Sequence, residues 1–239
     1  MSYGRIGVIG AMDSELAALI AALAQPARET VQGLAFHTGR LGAREVVLVR
    51  CGIGKVSAAR CTQVLIDRFA PAAVINTGIA GGLGAGLAVG DIVVADGLVQ
   101  HDFDAAPIGF VRGCLCMGEP GAPTVFTPDE PLSALLARTA GDAAGAQRVH
   151  RGLIATGDQF ISGAAAKAAI RSAFPSAMAA EMEGGAVAQA ASMSGVPFAV
   201  VRAISDLADG TAAASFEQFE QHAADVSAAA VLQALALLD

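Results

Sequence analysis

The chain has 239 residues, a formal net charge of −7 at pH 7 and 15% charged residues. A chain of this length buries enough surface to fold without disulfide or metal staples, and we predict a single domain over residues 1–239. The negative charge, without any block of Lys or Arg, argues against nucleic acid and anionic membranes as partners. A small neutral or cationic substrate fits this composition better.

Two segments without charged residues, 69–90 and 184–201, are long enough to raise the question of a membrane span. Proline, glycine and polar residues interrupt both, so we predict buried core segments with turns. The amino-terminal residues lack the basic and apolar regions of a secretory signal, which predicts a cytoplasmic protein. Neither CxxC spacing nor nearby histidines indicate a metal site at the four cysteines, which are Cys51, Cys61, Cys114 and Cys116.

Strand-like and helical segments alternate along the chain. We predict strands at 5–9, 34–40, 44–51, 73–76, 91–95, 149–155, 177–182 and 198–204, and helices at 14–23, 55–69, 163–173, 184–194 and 216–238. Pro26 is predicted to end the first helix, and Gly42 to join the second and third strands as a hairpin. Residues 107–131 contain five prolines and predict a long surface loop. The alternation predicts an α/β fold with a mixed sheet between helices on both faces.

Acidic residues follow several of these buried strands. Glu15 comes after the first strand, Glu183 after the strand at 177–182, and Asp206 after the strand at 198–204. In such sheets ligands bind at the carboxyl ends of strands, so we predict one shared site there. Burial raises a carboxyl pKa and can keep one acid protonated while another stays ionised, which acid–base hydrolysis requires.

Each of these residues also has an ordinary structural interpretation. Glu15 would stabilise the positive end of its helix, and Asp206 with Ser205 would cap a turn. Glu181 and Glu183 would face the same way in an extended chain, with Met182 opposite, or Glu183 would cap the following helix. Phe160 and Met12 would be core residues by default. The glycine-rich turn at 78–84 matches neither a dinucleotide-binding motif nor a P-loop.

Six short motifs together resemble one known family. They are residues 10–15 (GAMDSE), 52–55 (GIGK), 76–82 (NTGIAGG), 156–158 (TGD) followed by Phe160, 181–183 (EME) and 202–206 (RAISD). They occur in the order found in 5′-methylthioadenosine/S-adenosylhomocysteine nucleosidases, and the resemblance covers about residues 5–238. It implies a three-layer α/β/α nucleoside phosphorylase-like fold with a central mixed sheet, a homodimer, and no metal or organic cofactor. The implied reaction hydrolyses the N-glycosidic bond of methylthioadenosine, adenosylhomocysteine and 5′-deoxyadenosine, and releases adenine.

The resemblance also implies roles for individual residues. Asp206 would donate a proton to adenine N7, and Glu15, with Arg202 nearby, would hold and deprotonate the attacking water. Glu183 would bind the ribose 2′- and 3′-hydroxyls. This division is chemically sensible, because carboxylates near the sugar stabilise the positive charge of an oxocarbenium-like transition state.

Further residues would contact the substrate by the same analogy. Met182 would pack on the sugar, Phe160 would stack on adenine, and the Ile161 backbone would read the edge of the base. The remaining implied contacts are Met12, Ile53, Ile79, Ala80, Gly81, Glu181 and Ser205.

Two features concern the attacking water and the 5′-substituent. Ile79 stands where many relatives have a serine, which removes one possible ligand of the water. Residues 101–110 match the segment that crosses the dimer interface in the family, and Ile108 and Phe110 would form the wall around the partner's 5′-substituent. The sequence does not determine which 5′-substituent is preferred, and aminodeoxyfutalosine is among the possible substrates.

Two other functions are compatible with the pattern. One is a purine nucleoside phosphorylase, although Glu15 beside an anionic phosphate would cost about 4 kcal/mol at ~4 Å and an effective dielectric of ~20. The other is a non-catalytic adenosine-type binding protein, which would need neither an acid nor a water-activating base.

Overall fold

Helices and strands alternate along the structure, a computed structural model that describes residues 4–115, 121–144 and 148–238. The strands are β1 (Ile6–Gly10), β2 (Ala24–Val31), β3 (Leu34–Leu41), β4 (Arg44–Arg50), β5 (Ala73–Asn76), β6 (Ile79–Gly82), β7 (Ile92–Gln100), β8 (Val149–Thr156), β9 (Ala177–Glu181) and β10 (Phe198–Asp206). The helices are α1 (Asp13–Ala21), α2 (Lys55–Phe69), α3 (Glu130–Ala144), α4 (Ala164–Ala173), α5 (Gly184–Met193) and α6 (Ala212–Leu237).

All ten strands belong to one mixed sheet, in the order β2-β3-β4-β1-β5-β10-β6-β9-β8-β7. The central strands β4, β1, β5, β10 and β6 are mutually parallel. Strand β7 also pairs antiparallel with β10, which closes β6 to β10 into a ring. The predicted mixed sheet is therefore confirmed, and strand β10 lies at the junction of its two halves.

Helices cover both faces of the sheet. On one face α1, α3 and α6 pack together, and on the other α2 packs against α5. Strand β1 shows how the sequence supplies both cores, because Ile6 and Val8 point to the first face and Ile9 to the second. A strand buried on both faces reads as a continuous apolar run.

Strand β2 was not predicted. The first helix ends at Ala21, before Pro26, and Pro26 itself lies inside β2. Most of this strand is exposed, and it pairs only with β3 at the edge of the sheet. An edge strand tolerates proline because one side of its backbone needs no ladder partner, and its polar composition gave no period-two signal.

Other boundaries differ from the prediction. Part of the glycine-rich turn is strand β6, strands β7 and β10 continue to Gln100 and Asp206, and α6 begins at Ala212. The predicted loop at 107–131 includes the end of a short 3-10 helix (Ala106–Ile108), a backbone bridge from Phe126 to Leu98, and the start of α3, a helix that was not predicted. Residues 116–120 of that loop, including Cys116, lie outside the described residues.

The two uncharged segments are part of the core. Segment 69–90 contains β5 and β6, and segment 184–201 contains α5 and the start of β10. Among the described residues we find no helix with the length and hydropathy of a membrane-spanning segment. Cys51, Cys61 and Cys114 are buried, and burial raises the pKa of the Cys61 thiol to about 12.

Candidate active site

A cavity opens at the carboxyl ends of β1, β9 and β10, beside β6. Thirteen of the predicted site residues line it: Met12, Glu15, Ile53, Ile79, Ala80, Gly81, Phe160, Ile161, Glu181, Met182, Glu183, Ser205 and Asp206. This lining comes from the ends of strands and from the segments that follow them. The topology therefore brings together segments that are far apart in sequence.

Glu15 is held at the start of α1. One carboxylate oxygen, Oε2, accepts hydrogen bonds from the backbone N–H groups of Ala11 (2.6 Å) and Met12 (3.0 Å). The other, Oε1, accepts one from the N–H of Ile79 (3.1 Å). Burial raises the pKa of Glu15, while the Arg202 charge and these three N–H groups act in the opposite direction. Glu15 is thus both a first-turn helix acid and a buried carboxyl group in the cavity.

Arg202 lies behind the cavity and does not line it. Its Nη2 donates to Glu181 Oε2 and to Asn76 Oδ1, and its Nη1 donates to the carbonyls of Asn76 and Val201. Both Arg202 and Glu181 have side chains about 2% exposed. The terminal nitrogens of Arg202, which was predicted to lie near Glu15, therefore donate to Glu181, Asn76 and Val201.

Glu181 anchors the end of β9 to the start of α5. Its Oε2 accepts from the N–H groups of Glu183 (3.0 Å) and Gly184 (2.6 Å), and its Oε1 accepts from the Thr156 hydroxyl. The Arg202 charge and these donors outweigh burial, so the pKa of Glu181 is lowered. Glu181 is consequently held in its ionised form.

Glu183 occupies the N-cap position of α5, but its side chain makes no capping hydrogen bond, and Glu181 accepts from the first N–H groups of the helix instead. The turn lets Glu181, Met182 and Glu183 all line the cavity, so Met182 does not face away. Glu183 Oε1 accepts a hydrogen bond from the Gly54 N–H (2.8 Å). Burial and then the nearby Glu181 charge raise the pKa of Glu183 to about 8.

Asp206 is the last residue of β10 and also lines the cavity. Its Oδ2 accepts from the Ser205 hydroxyl (2.9 Å) and its Oδ1 accepts from the Ala208 N–H (2.8 Å). Asp206 is 1% exposed, and burial raises its pKa in spite of these two donors. A carboxyl group of this kind is suited to hold a proton and donate it.

An aromatic pair borders the cavity. The rings of Phe160 and Phe216 meet edge to face with centroids 5.6 Å apart, and Phe160 remains 47% exposed. Phe216 was missed as a site residue, although its place at the predicted start of the last helix, soon after Asp206, was a usable signal. The other residues of the lining that were missed are Ala11, Gln159 and Ala180.

Two predicted residues do not reach the cavity of this chain. Ile108 and Phe110 belong to the segment that was predicted to serve the partner's site, and Ile108 is 75% exposed. Within the described ranges, no cluster of three or more His, Cys, Asp or Glu residues is arranged to hold a metal ion. The cavity therefore combines buried acids of unequal pKa with an aromatic wall.

Known proteins resemble the chain over almost its full length. Residues 5–236 match the sequence pattern of a protein family described as "Phosphorylase superfamily". A 5′-methylthioadenosine/S-adenosylhomocysteine nucleosidase of Actinobacillus succinogenes is 42% identical over 98% of this chain and 100% of that protein. The S. pneumoniae nucleosidase, solved with the transition-state inhibitor MT-ImmA, has a TM-score of 0.91 and 41% identity over 98% of this chain and 100% of that one. A futalosine hydrolase mutant of Helicobacter pylori has a TM-score of 0.87 and 32% identity over 97% of this chain and 98% of that one.

Proposed function

The chain belongs to the phosphorylase superfamily and, within it, to the 5′-methylthioadenosine/S-adenosylhomocysteine nucleosidases, and we propose that it hydrolyses the N-glycosidic bond of 5′-methylthioadenosine and S-adenosylhomocysteine by acid–base catalysis in this cavity. The family resemblance and the α/β/α fold that it implied are confirmed by these comparisons. The observation that carries the mechanism is the presence of Asp206 and Glu15, two buried carboxyl groups with different partners, in one cavity lined by an aromatic side chain.

Adenine departs with help from Asp206. With its pKa raised by burial, Asp206 holds a proton and donates it to N7, which makes the base a better leaving group. When Asp206 is protonated, the single Ser205 hydroxyl proton has a second acceptor in the Ala80 carbonyl (3.4 Å). Phe160 stacks on the base, and its contact with Phe216 fixes the orientation of its ring.

Water is activated by Glu15. Three backbone N–H groups hold the carboxylate in one orientation, so an ionised Glu15 takes the water proton without having to reorganise. Arg202 favours that ionised state by its charge, and we assign it this electrostatic role rather than a direct contact with the water. The same carboxylate stabilises the positive charge that develops on the sugar.

Glu183 and Met182 bind the ribose. One oxygen of Glu183 is tied to the Gly54 N–H, which fixes the carboxyl group over the sugar pocket for bonds to the 2′- and 3′-hydroxyls. The 5′-substituent then extends toward the exposed side of the cavity, where Ile53 is 58% exposed. We propose that residues 101–110 of a second subunit, including Ile108 and Phe110, cover this side in a homodimer.

Residues 101–110 of the second subunit would then determine which 5′-substituents the site accepts. Methylthioadenosine and adenosylhomocysteine are the proposed main substrates, with 5′-deoxyadenosine as a further one. The similarity to a futalosine hydrolase makes aminodeoxyfutalosine a necessary competitor in the assay.

Product analysis in the presence and absence of phosphate tests this proposal. Purified protein is incubated with methylthioadenosine in phosphate-free buffer, and both products are identified by mass spectrometry. Adenine with free methylthioribose is the expected result. A strict requirement for phosphate with a sugar 1-phosphate as product would make the protein a phosphorylase, and tight binding of the nucleoside without cleavage would make it a binding protein.

A further inference from the structure

Lys167 reaches from α4 to the ends of two strands that form the cavity. Its Nζ donates to the carbonyl of Gly82 (2.8 Å), the last residue of β6, and to that of Leu207 (2.7 Å), which directly follows β10. The side chain is half-buried, and burial lowers the pKa of its ammonium group. Lys167 does not line the cavity itself.

The Leu207 carbonyl belongs to the peptide group that holds the proposed acid. In that group the carbonyl of Leu207 accepts from Lys167, and the N–H of Ala208 donates to Asp206 Oδ1 (2.8 Å). An ammonium group on the oxygen of a peptide both fixes the peptide plane and strengthens the N–H donor at its other end. The contact of Lys167 is therefore transmitted to Asp206 through one rigid planar unit.

The turn that carries this peptide group needs such an anchor. Ala208 has a φ of 51°, in the left-handed region where a residue with a Cβ is strained by roughly 1–3 kcal/mol. The second contact of Lys167, at Gly82, lies next to Gly81, where a Cβ would come within 3.0 Å of Asp206 Oδ1. Lys167 thus ties together the two backbone segments that enclose the Asp206 carboxyl.

We propose that Lys167 is the positioning residue of the acid Asp206: it orients the peptide group that holds Asp206 Oδ1 and keeps the carboxyl aimed at the base. This inference rests on the proposed function, in which Asp206 is the acid. The charged and polar groups that act on Asp206 are Lys167 from α4, Asp209 from the turn after β10, and the donors Ser205 and Ala208. Of the charged groups, Lys167 favours the ionised form and Asp209 opposes it.

The test compares Lys167→Met, which keeps the apolar stem and removes the ammonium, with Lys167→Arg, which keeps the charge. We expect Lys167→Met to lower kcat by about 10- to 100-fold, because the acid is displaced. We also expect the alkaline limb of its kcat/KM profile to move to higher pH, since a cation that favours ionised Asp206 is lost. Lys167→Arg should recover most of the activity and the original limb.

Arg171→Met is the matched control. Arg171 has the same charge and lies one turn further along α4, where it is exposed. We expect its kcat and its pH limb to stay close to those of the wild type. An equal shift of the limb in Arg171→Met would overturn the proposal, because the effect would then come from the general field of the helix.

A double-variant cycle separates a positioning role from a purely structural one. If Lys167 acts through Asp206, adding Lys167→Met to Asp206→Asn should cause almost no further loss of kcat. A full additional loss of kcat in the double variant would overturn the proposal. So would a loss of kcat in Lys167→Met that matches the loss of folded protein and leaves the alkaline limb where it is in the wild type. The wild type and Asp206→Asn alone test the proposed function, since turnover at the wild-type rate in Asp206→Asn would refute the acid assignment before Lys167 is considered.

Discussion

Gly78→Ala is predicted to displace Glu15. A Cβ on Gly78 would lie 2.5 Å from Glu15 Oε1 and 3.0 Å from its Cδ. Restoring the 3.4 Å at which ordinary contact begins requires the carboxylate to move by about 0.9 Å. That movement also weakens the hydrogen bond that Oε1 accepts from the Ile79 N–H at 3.1 Å.

The size of the effect follows from this displacement. A misplacement of ~1 Å in a reacting group costs on the order of 100-fold in rate, so we expect kcat to fall by about that factor. Overpacking of this kind costs about 1–3 kcal/mol of stability, and an alanine at the φ of 159° that Gly78 adopts adds backbone strain, so the folded fraction is measured alongside the rate. The loss of rate should therefore greatly exceed any loss of folded protein.

Steady-state kinetics and thermal unfolding of the same preparation check the prediction. The control is Gly210→Ala, because a Cβ on Gly210 meets nothing within 4 Å although the residue also lies close to the site in sequence. Gly210→Ala should retain the wild-type kcat. If Gly78→Ala also retained it, the assignment of Glu15 as the base would be refuted.

Three further predictions concern the other residues of the cavity. If protonated Asp206 and ionised Glu15 are both required, kcat/KM should fall on both sides of an optimum, and Asp206→Asn should remove the alkaline limb; an unaltered limb in that variant would contradict the acid role. Because the folded-state pKa of Glu183 is raised to about 8, folding should lose stability as pH rises between about 4.5 and about 8, and Glu183→Gln should show a smaller fall of Tm across that range. Phe216→Ala should raise KM for methylthioadenosine several-fold with a smaller effect on kcat, since it removes the edge-to-face support of Phe160; an unchanged KM would remove Phe216 from the site.

The sequence predicts the parts of the fold that have strong local signals. Helix α2 was predicted at its observed limits from the helical spacing of its apolar residues, and in the structure it ends at a left-handed Ala70. Strand β2 was missed because it is an exposed edge strand with a proline and no alternation. The closure of β7 onto β10 is a long-range pairing, for which local periodicity has no signal.

The sequence predicted the site residues that follow strands, but it did not predict the side-chain contacts that depend on tertiary packing. Glu15, Glu183 and Asp206 were found from their places after buried strands, and all three line the cavity. The commitment of Arg202 to Glu181 could not be read from the chain, since several acids were equally possible partners. Phe216 approaches Phe160 because tertiary packing brings the start of α6 to the cavity.

The acids of the cavity differ in pKa because each has different partners. The Arg202 guanidinium is hydrogen-bonded to Glu181, so Glu181 stays ionised, and its charge then raises the pKa of Glu183. Glu15 receives only the longer-range effect of Arg202, and this, with three N–H groups, opposes its burial. Asp206 has other partners, and Lys167 is a cation whose charge lowers its pKa. In the proposed mechanism, one buried arginine therefore supports the ionised state of the base Glu15, while the pKa of the acid Asp206 stays raised by burial.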